Sequence, residues 1–337
     1  MQLADFDYLL PAERIAQTPI EPRDAARLLV DRGSASPQHR HVSDLLEILE
    51  PGDLLVVNDT KVLPARLRLR RLTGGAAEVL LLEALDPQRR TWEAMVRPAR
   101  KLHVGEQLVD ESGVAVVEIG GRSAAGDTLL VSVLGEDDPL DTLVRLGEMP
   151  LPPYITAGLT DPERYQTVYA AEPGSAAAPT AGLHLTPTLL DALFAHGVDL
   201  ARVELVVGLD TFKPISVDDP KQHVIHSERY RVSEATMERC REARRVVAVG
   251  TTSVRALESA ATLGELQGRT RLFIHRGYDW KVVDLMLTNF HLPKTTLLLM
   301  IDSFIGARWR TLYETAIAQE YRFLSFGDAM LLDRRAL

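Results

Sequence analysis

Between about residues 64 and 135 the chain drops the pattern it keeps elsewhere, and that break constrains the fold more than any other feature. Short runs that alternate or nearly alternate apolar and polar residues follow one another there: RLRLRRL from Arg66, AEVLLLEAL from Ala77, TWEAMV from Thr91, VAVVEI from Val114 and TLLVSVL from Thr128. Turn-forming stretches such as TGG and IGGRSAAGD separate them. A side-chain period of two at such spacing predicts an all-β barrel or small sandwich. On either side the texture is α/β. LLVVN at 54–58, ARVELVV at 201–207 and RVVAVG at 245–250 read as buried strands. Thr186-Pro187 opens a helix, Ser233 caps another, Thr251 starts a third, and TTLLLMIDSFIG at 295–306 reads as a buried one. The expected fold class is therefore α/β. Residues 1–62 and 152–337, from both ends of the chain, are expected to form a discontinuous main domain, and residues 63–151 an inserted β-rich domain, barrel or sandwich.

Composition sets outer limits. The 337 residues suffice for two domains, and 46% hydrophobic with 25% charged residues is ordinary globular usage. No apolar run is long enough to span a bilayer, so no membrane association is expected. The acidic start MQLADFDYLLPAERIAQ gives no reason to expect a signal peptide. One cysteine, Cys240, excludes an internal disulfide and a multi-cysteine zinc site, which fits a cytoplasmic location. A net charge of −9 argues against a nucleic-acid binder taken alone. Three basic clusters run against it: Arg66, Arg68, Arg70 and Arg71; Arg89, Arg90, Arg97, Arg100 and Lys101; and Arg239, Arg241, Arg244 and Arg245.

Four polar segments are candidates for chemistry. In VAVGTTSVRALES a strand ends at Gly250, and Thr251, Thr252 and Ser253 follow at a helix N-terminus, where free N–H groups favour an anion. Arg255, one turn on, offers a bidentate clamp for a carboxylate or phosphate. PTAGLHLTP places His184 just before a helix cap, and TNFHLPKTT places Asn289 and His291 before a proline turn. In VIHSERY, His226 and Glu228 share one face of an extended segment and are candidate acid and base groups. The histidines lack metal-ligand spacing, and no dinucleotide or P-loop glycine motif is present, so no metal is expected.

Seven stretches together resemble the family of queuosine ribosyltransferase-isomerases: FDYLLPAERIAQTPIEPRDAARLL, GDLLVVNDTKVLPARL, GSAAAPTAGLHLTP, IHSERY, VAVGTTSVRALES, RGYDWKVVDLMLTNFHLPKTTLLLM and YRFLSFGDAM. They span nearly the whole chain. The resemblance implies an α/β domain with an inserted β-barrel and no cofactor beyond S-adenosylmethionine as a consumed co-substrate. It implies that the ribosyl portion of S-adenosylmethionine is transferred to 7-aminomethyl-7-deazaguanine at the tRNA wobble position and isomerised. Epoxyqueuosine-tRNA forms, with release of adenine and methionine. Such chemistry needs a base for the ribose carbon beside sulfur, an acid for departing adenine and a holder for the methionine carboxylate. The positions taken as catalytic are His184, His226, Glu228 and His291. Those taken as substrate-binding are Asn58, Asp59, Thr60, Lys61, Thr180, Thr251, Thr252, Arg255, Thr288, Asn289 and Asp328. The partners expected are tRNA and S-adenosylmethionine, with the chain a monomer.

The sequence departs from the family pattern at five points. Asp210 stands where a glycine is expected, Arg276 where proline is usual and Asp302 where a small residue is usual. Leu185 replaces phenylalanine and Ile225 replaces methionine, both volume-conserving changes. Two other readings stay open on sequence alone: a relative acting from S-adenosylmethionine on a small-molecule acceptor, and a non-catalytic RNA-binding protein.

Overall fold

A computed structural model of the chain describes residues 1–123, 126, 128–208, 215, 217–223 and 225–336. Asp210 lies outside them. The chain divides into two compact units, one of residues 1–60, 153–171 and 179–337, the other of residues 61–152 and 172–178.

The second unit is a barrel. Strands Arg66–Arg71, Ala76–Ala84, Thr91–Arg97, Leu129–Val133, Ala115–Arg122 and Gln107–Val109 pair in that order, and the last returns to the first. Every pairing is antiparallel, so six strands close on themselves and Gly147–Glu148 adds a short seventh to Arg66–Arg71. The two-residue period decides which side chains fill it: Leu67, Leu69, Val79, Leu81, Trp92, Ala94, Val96, Val131 and Val133 are buried together. Closure removes the unpaired edge that such strands would otherwise expose.

The first unit is built on a nine-stranded sheet. Its centre consists of four parallel strands, Asp199–Leu205, Leu54–Asn58, Val246–Val249 and Leu285–Asn289. The last three are buried at every position, as expected of strands covered on both faces. Leu55, Val57, Val247, Val249, Leu285 and Leu287 meet Leu189 and Leu193 of helix Pro187–Ala195 on one face. Helix Gly250–Leu263 packs against the same central strands. Strand Glu228–Val232 runs antiparallel to Asp199–Leu205, and Ala329–Asp333 antiparallel to Leu285–Asn289, so each begins at the edge where the parallel strands end. No helix among the described residues is long and apolar enough to cross a membrane.

Two departures from the family pattern explain each other. Arg276 donates through Nε and Nη2 to the two carboxylate oxygens of Asp302, at 3.0 and 2.8 Å. Trp309 Nε1 adds a third bond to the buried Asp302 at 3.2 Å. The charge on Asp302 is thus paired and hydrogen-bonded, which a buried carboxylate requires.

Candidate functional site

Ligands in open α/β sheets bind at the carboxyl ends of the parallel strands. At that edge the first unit gathers polar groups in two clusters. The first forms where strand Val246–Val249 gives way to helix Gly250–Leu263. Gly250 takes φ +85°, open to glycine and strained for other residues, and this turn starts the helix directly off the strand. Ala181 lies within 3.6 Å of the place a Gly250 side chain would occupy, so the Thr180–His184 turn sits against the helix start.

Arg255, one turn along, is buried and pairs through Nη1 with Glu228 Oε2 at 2.5 Å. The other oxygen of Glu228 accepts the Gly208 amide at 3.0 Å. Nε and Nη2 of Arg255 and the hydroxyl of Thr252 are buried with no hydrogen-bond partner among the described residues. A buried guanidinium with two idle donor nitrogens at a helix N-terminus has the chemistry to take an anion. Thr251 is buried at the first turn of the same helix.

The second cluster centres on Asn289, the last residue of its strand. Its Nδ2 donates to Leu324 O at 3.1 Å and meets His184 Nε2 at 3.0 Å, while its Oδ1 accepts the Thr180 hydroxyl at 3.1 Å. The carbonyl partner fixes the amide orientation, so His184 Nε2 is an acceptor and the ring proton sits on Nδ1. Burial, with Arg322 and Arg23 adding to it, pushes His184 down to about 4. Burial also pushes His291 down to about 3, and its Nε2 lies 2.9 Å from the Thr288 hydroxyl. Both rings are neutral near pH 7 and act by hydrogen bonding, not as cations.

That neutrality has a measurable consequence. Below the ordinary imidazole value of about 6.5, the unfolded chain binds protons that the folded chain refuses, so stability falls with pH. The loss runs from about pH 6.5 down to the folded values of about 4 and about 3. Burial raises the carboxyl of Asp328, which works in the opposite direction and offsets part of the effect. Acidification from about pH 7 to 5 should therefore cost on the order of 1–3 kcal/mol. His184→Gln should flatten the dependence. A thermal midpoint constant over this interval in both proteins would contradict the assignment.

The remaining candidate positions are placed as follows. The Asn58 side chain is engaged entirely with backbone: Nδ2 donates to Leu205 O at 2.9 Å, and Oδ1 accepts from Leu205 N and Thr60 N at 3.1 and 3.3 Å. It locks two parallel strands at their ends. Asp59 is nearly buried, with Arg202 at 3.9 Å, and the buried Thr60 hydroxyl has no partner. Lys61 is exposed and belongs to the barrel unit. The carboxylate of Asp328 accepts from Arg27 N and Arg322 N at 2.9 and 2.8 Å, which holds the loop that carries Leu324 O to Asn289. His226 lies two residues before strand Glu228–Val232 and outside it, half-buried, so the pair does not share a strand face.

The sequence reading missed two buried groups. Tyr169 has a buried hydroxyl without a partner, and that oxygen comes within 1.9 Å of the position a Gly182 side chain would take. Glu258 is fully buried in helix Gly250–Leu263 and accepts from Tyr278 OH and from the amides of Lys281, Val282 and Val283, each at 3.0 Å. Among the described residues, no three histidine, cysteine, aspartate or glutamate side chains group as a metal site would need.

Comparison with known proteins gives the family. Residues 3–332 match the family described as queuosine biosynthesis protein. The S-adenosylmethionine:tRNA ribosyltransferase-isomerase of Symbiobacterium thermophilum is 51% identical over 343 residues, covering 98% of this chain and 100% of that protein. The enzyme of the same name from Moorella thermoacetica is 48% identical over 344 residues, with the same two coverages. The crystal structure of S-adenosylmethionine tRNA ribosyltransferase from Thermotoga maritima superposes with a TM-score of 0.54 at 38% identity, over 97% of this chain and 99% of that one. Such similarity along the full length disfavours both alternative readings. The chain belongs to the queuosine biosynthesis family, as a tRNA ribosyltransferase-isomerase.

Proposed function

We propose that the chain consumes S-adenosylmethionine at the carboxyl edge of its parallel strands. Its ribosyl portion passes to 7-aminomethyl-7-deazaguanine at the tRNA wobble position, and adenine and methionine leave. The observation that carries the placement is Arg255. One of its donor nitrogens is neutralised by Glu228 and two are idle in a buried setting at a helix N-terminus. The methionine carboxylate supplies the missing acceptors.

The Asn289, His184 and Thr180 cluster then forms a second wall, its neutral imidazole orienting substrate by hydrogen bonding. Glu228 serves as the internal counterion of Arg255 and the group that the substrate carboxylate competes with. On the barrel, Arg97, Arg100 and Lys101 are exposed and without ion-pair partners among the described residues, and they are assigned to tRNA phosphates. Acting on tRNA, the protein works in the cytoplasm.

Arg255→Ala should weaken S-adenosylmethionine binding, read by calorimetry, roughly tenfold to a hundredfold, given charge-assisted bonds of about 1.5–3 kcal/mol. Arg255→Lys should restore part of it, because a point charge cannot reproduce the fork. Unchanged S-adenosylmethionine affinity alongside weakened tRNA binding would move Arg255 to the RNA and overturn the placement.

A further inference from the structure

The sheet edge that carries Glu228 also carries three aromatic rings in mutual contact. Phe273 stands edge-on to His223 with centroids 6.1 Å apart at 69°, and edge-on to His275 at 5.3 Å and 74°. All three are half-buried, so each keeps part of its surface toward solvent. Phe273 is in neither the barrel core nor the cluster built on Leu55, Val57 and Leu189.

The chain brings these rings to the site by register. Glu228 pairs with Thr270 across two antiparallel strands. His223 comes five residues before Glu228, and Phe273 and His275 follow Thr270 by three and five. Arg269 ties the two segments together, donating through Nε to the Ser227 hydroxyl at 3.0 Å and through Nη2 to the Ser227 carbonyl at 2.9 Å. Exposed charges of both signs lie close by in sequence, Lys221 and Arg271 with Asp218 and Asp279. Lys221 and Arg271 are exposed with no ion pair among the described residues. The nearby Asp219 carboxylate is turned back onto the Lys221 amide at 3.1 Å.

Partly exposed rings flanked by free cations suit unpaired nucleotides. Bases stack on aromatic and imidazole faces, and the cations meet the phosphates between them. The target nucleotide must enter the site from a single-stranded loop, so its neighbours arrive unpaired at the same edge. We infer that His223, Phe273 and His275 form a stacking platform for the unpaired bases that flank the target nucleotide. The inference rests on the tRNA reading above and adds where the loop lies. His275 Nδ1 donates to Arg276 O at 3.0 Å, which fixes that ring within the platform.

The test measures binding of precursor tRNA by fluorescence anisotropy, with S-adenosylmethionine calorimetry alongside. Phe273→Leu keeps an apolar side chain but removes the π face, and should weaken tRNA binding roughly tenfold or more. The double replacement His223→Ala with His275→Ala should do the same. Phe273→Trp should retain affinity close to the parent, and none of the variants should change S-adenosylmethionine binding. A Phe273→Leu protein that binds tRNA as tightly as the parent overturns the platform. So does a parallel loss of S-adenosylmethionine affinity, or a tryptophan variant as weak as the leucine one, since either marks packing as the role. If the parent chain binds no tRNA, the tRNA reading itself fails, and the platform falls with it.

Discussion

Glu258→Ala should cost the folded first unit about 3–5 kcal/mol, because it strips a fully buried acceptor from three backbone amides and a phenol at once. The carboxylate sits two turns into the helix that begins at Gly250, and its partners lie on the segment 278–283 that leads into strand Leu285–Asn289. A buried amide left without an acceptor costs about 1–3 kcal/mol, and three are left here. Loss of the anchor therefore loosens both the helix bearing Arg255 and the strand bearing Asn289. Glu258→Gln should rescue little, since its amide turns a donor toward groups that are themselves donors. The check is the midpoint of chemical unfolding for both variants against the parent. A shift worth less than about 1 kcal/mol, at the level of an ordinary surface change, would show that water replaces the carboxylate and that the segment needs no anchor.

The sequence carried some of this architecture openly and hid the rest for physical reasons. The barrel was legible because Leu67, Leu69, Trp92, Ala94 and Val96 alternate with polar neighbours, and a two-residue period has one structural meaning. The central strands were legible because LLVVN and VVAV are apolar throughout and end in polar or glycine positions. The period alone left barrel and sandwich open; the family resemblance implied the barrel, which Gln107–Val109 closes by returning to Arg66–Arg71.

At the site, residue type misled where partners are distant in sequence. Asn58 reads as a ligand group in NDT, yet both ends of its amide are bound to backbone, chiefly that of Leu205, 147 residues away. Glu258 carries no local signal of its role, because its amide partners lie more than twenty residues ahead. Arg276 and Asp302 look like two unrelated added charges and are in fact one bidentate pair. Of the basic clusters, Arg66, Arg68 and Arg71 are neutralised by Glu78, Glu148 and Glu106, and Arg244 and Arg245 by Asp53 and Glu50. A run of arginines therefore says little about a surface until its acids are located.

The central claim is that ribosyl transfer from S-adenosylmethionine is coupled to tRNA. Its expected effect is close to all-or-none, because chemistry that requires the acceptor amine cannot complete without it. The measurement is adenine release, followed by chromatography, from the chain and S-adenosylmethionine with and without tRNA bearing 7-aminomethyl-7-deazaguanine. The account predicts adenine and methionine appearing in step with modified tRNA, and no turnover with S-adenosylmethionine alone or with tRNA lacking the precursor base. Adenine released at the same rate without tRNA, or tRNA that stays unmodified while adenine accumulates, would contradict it.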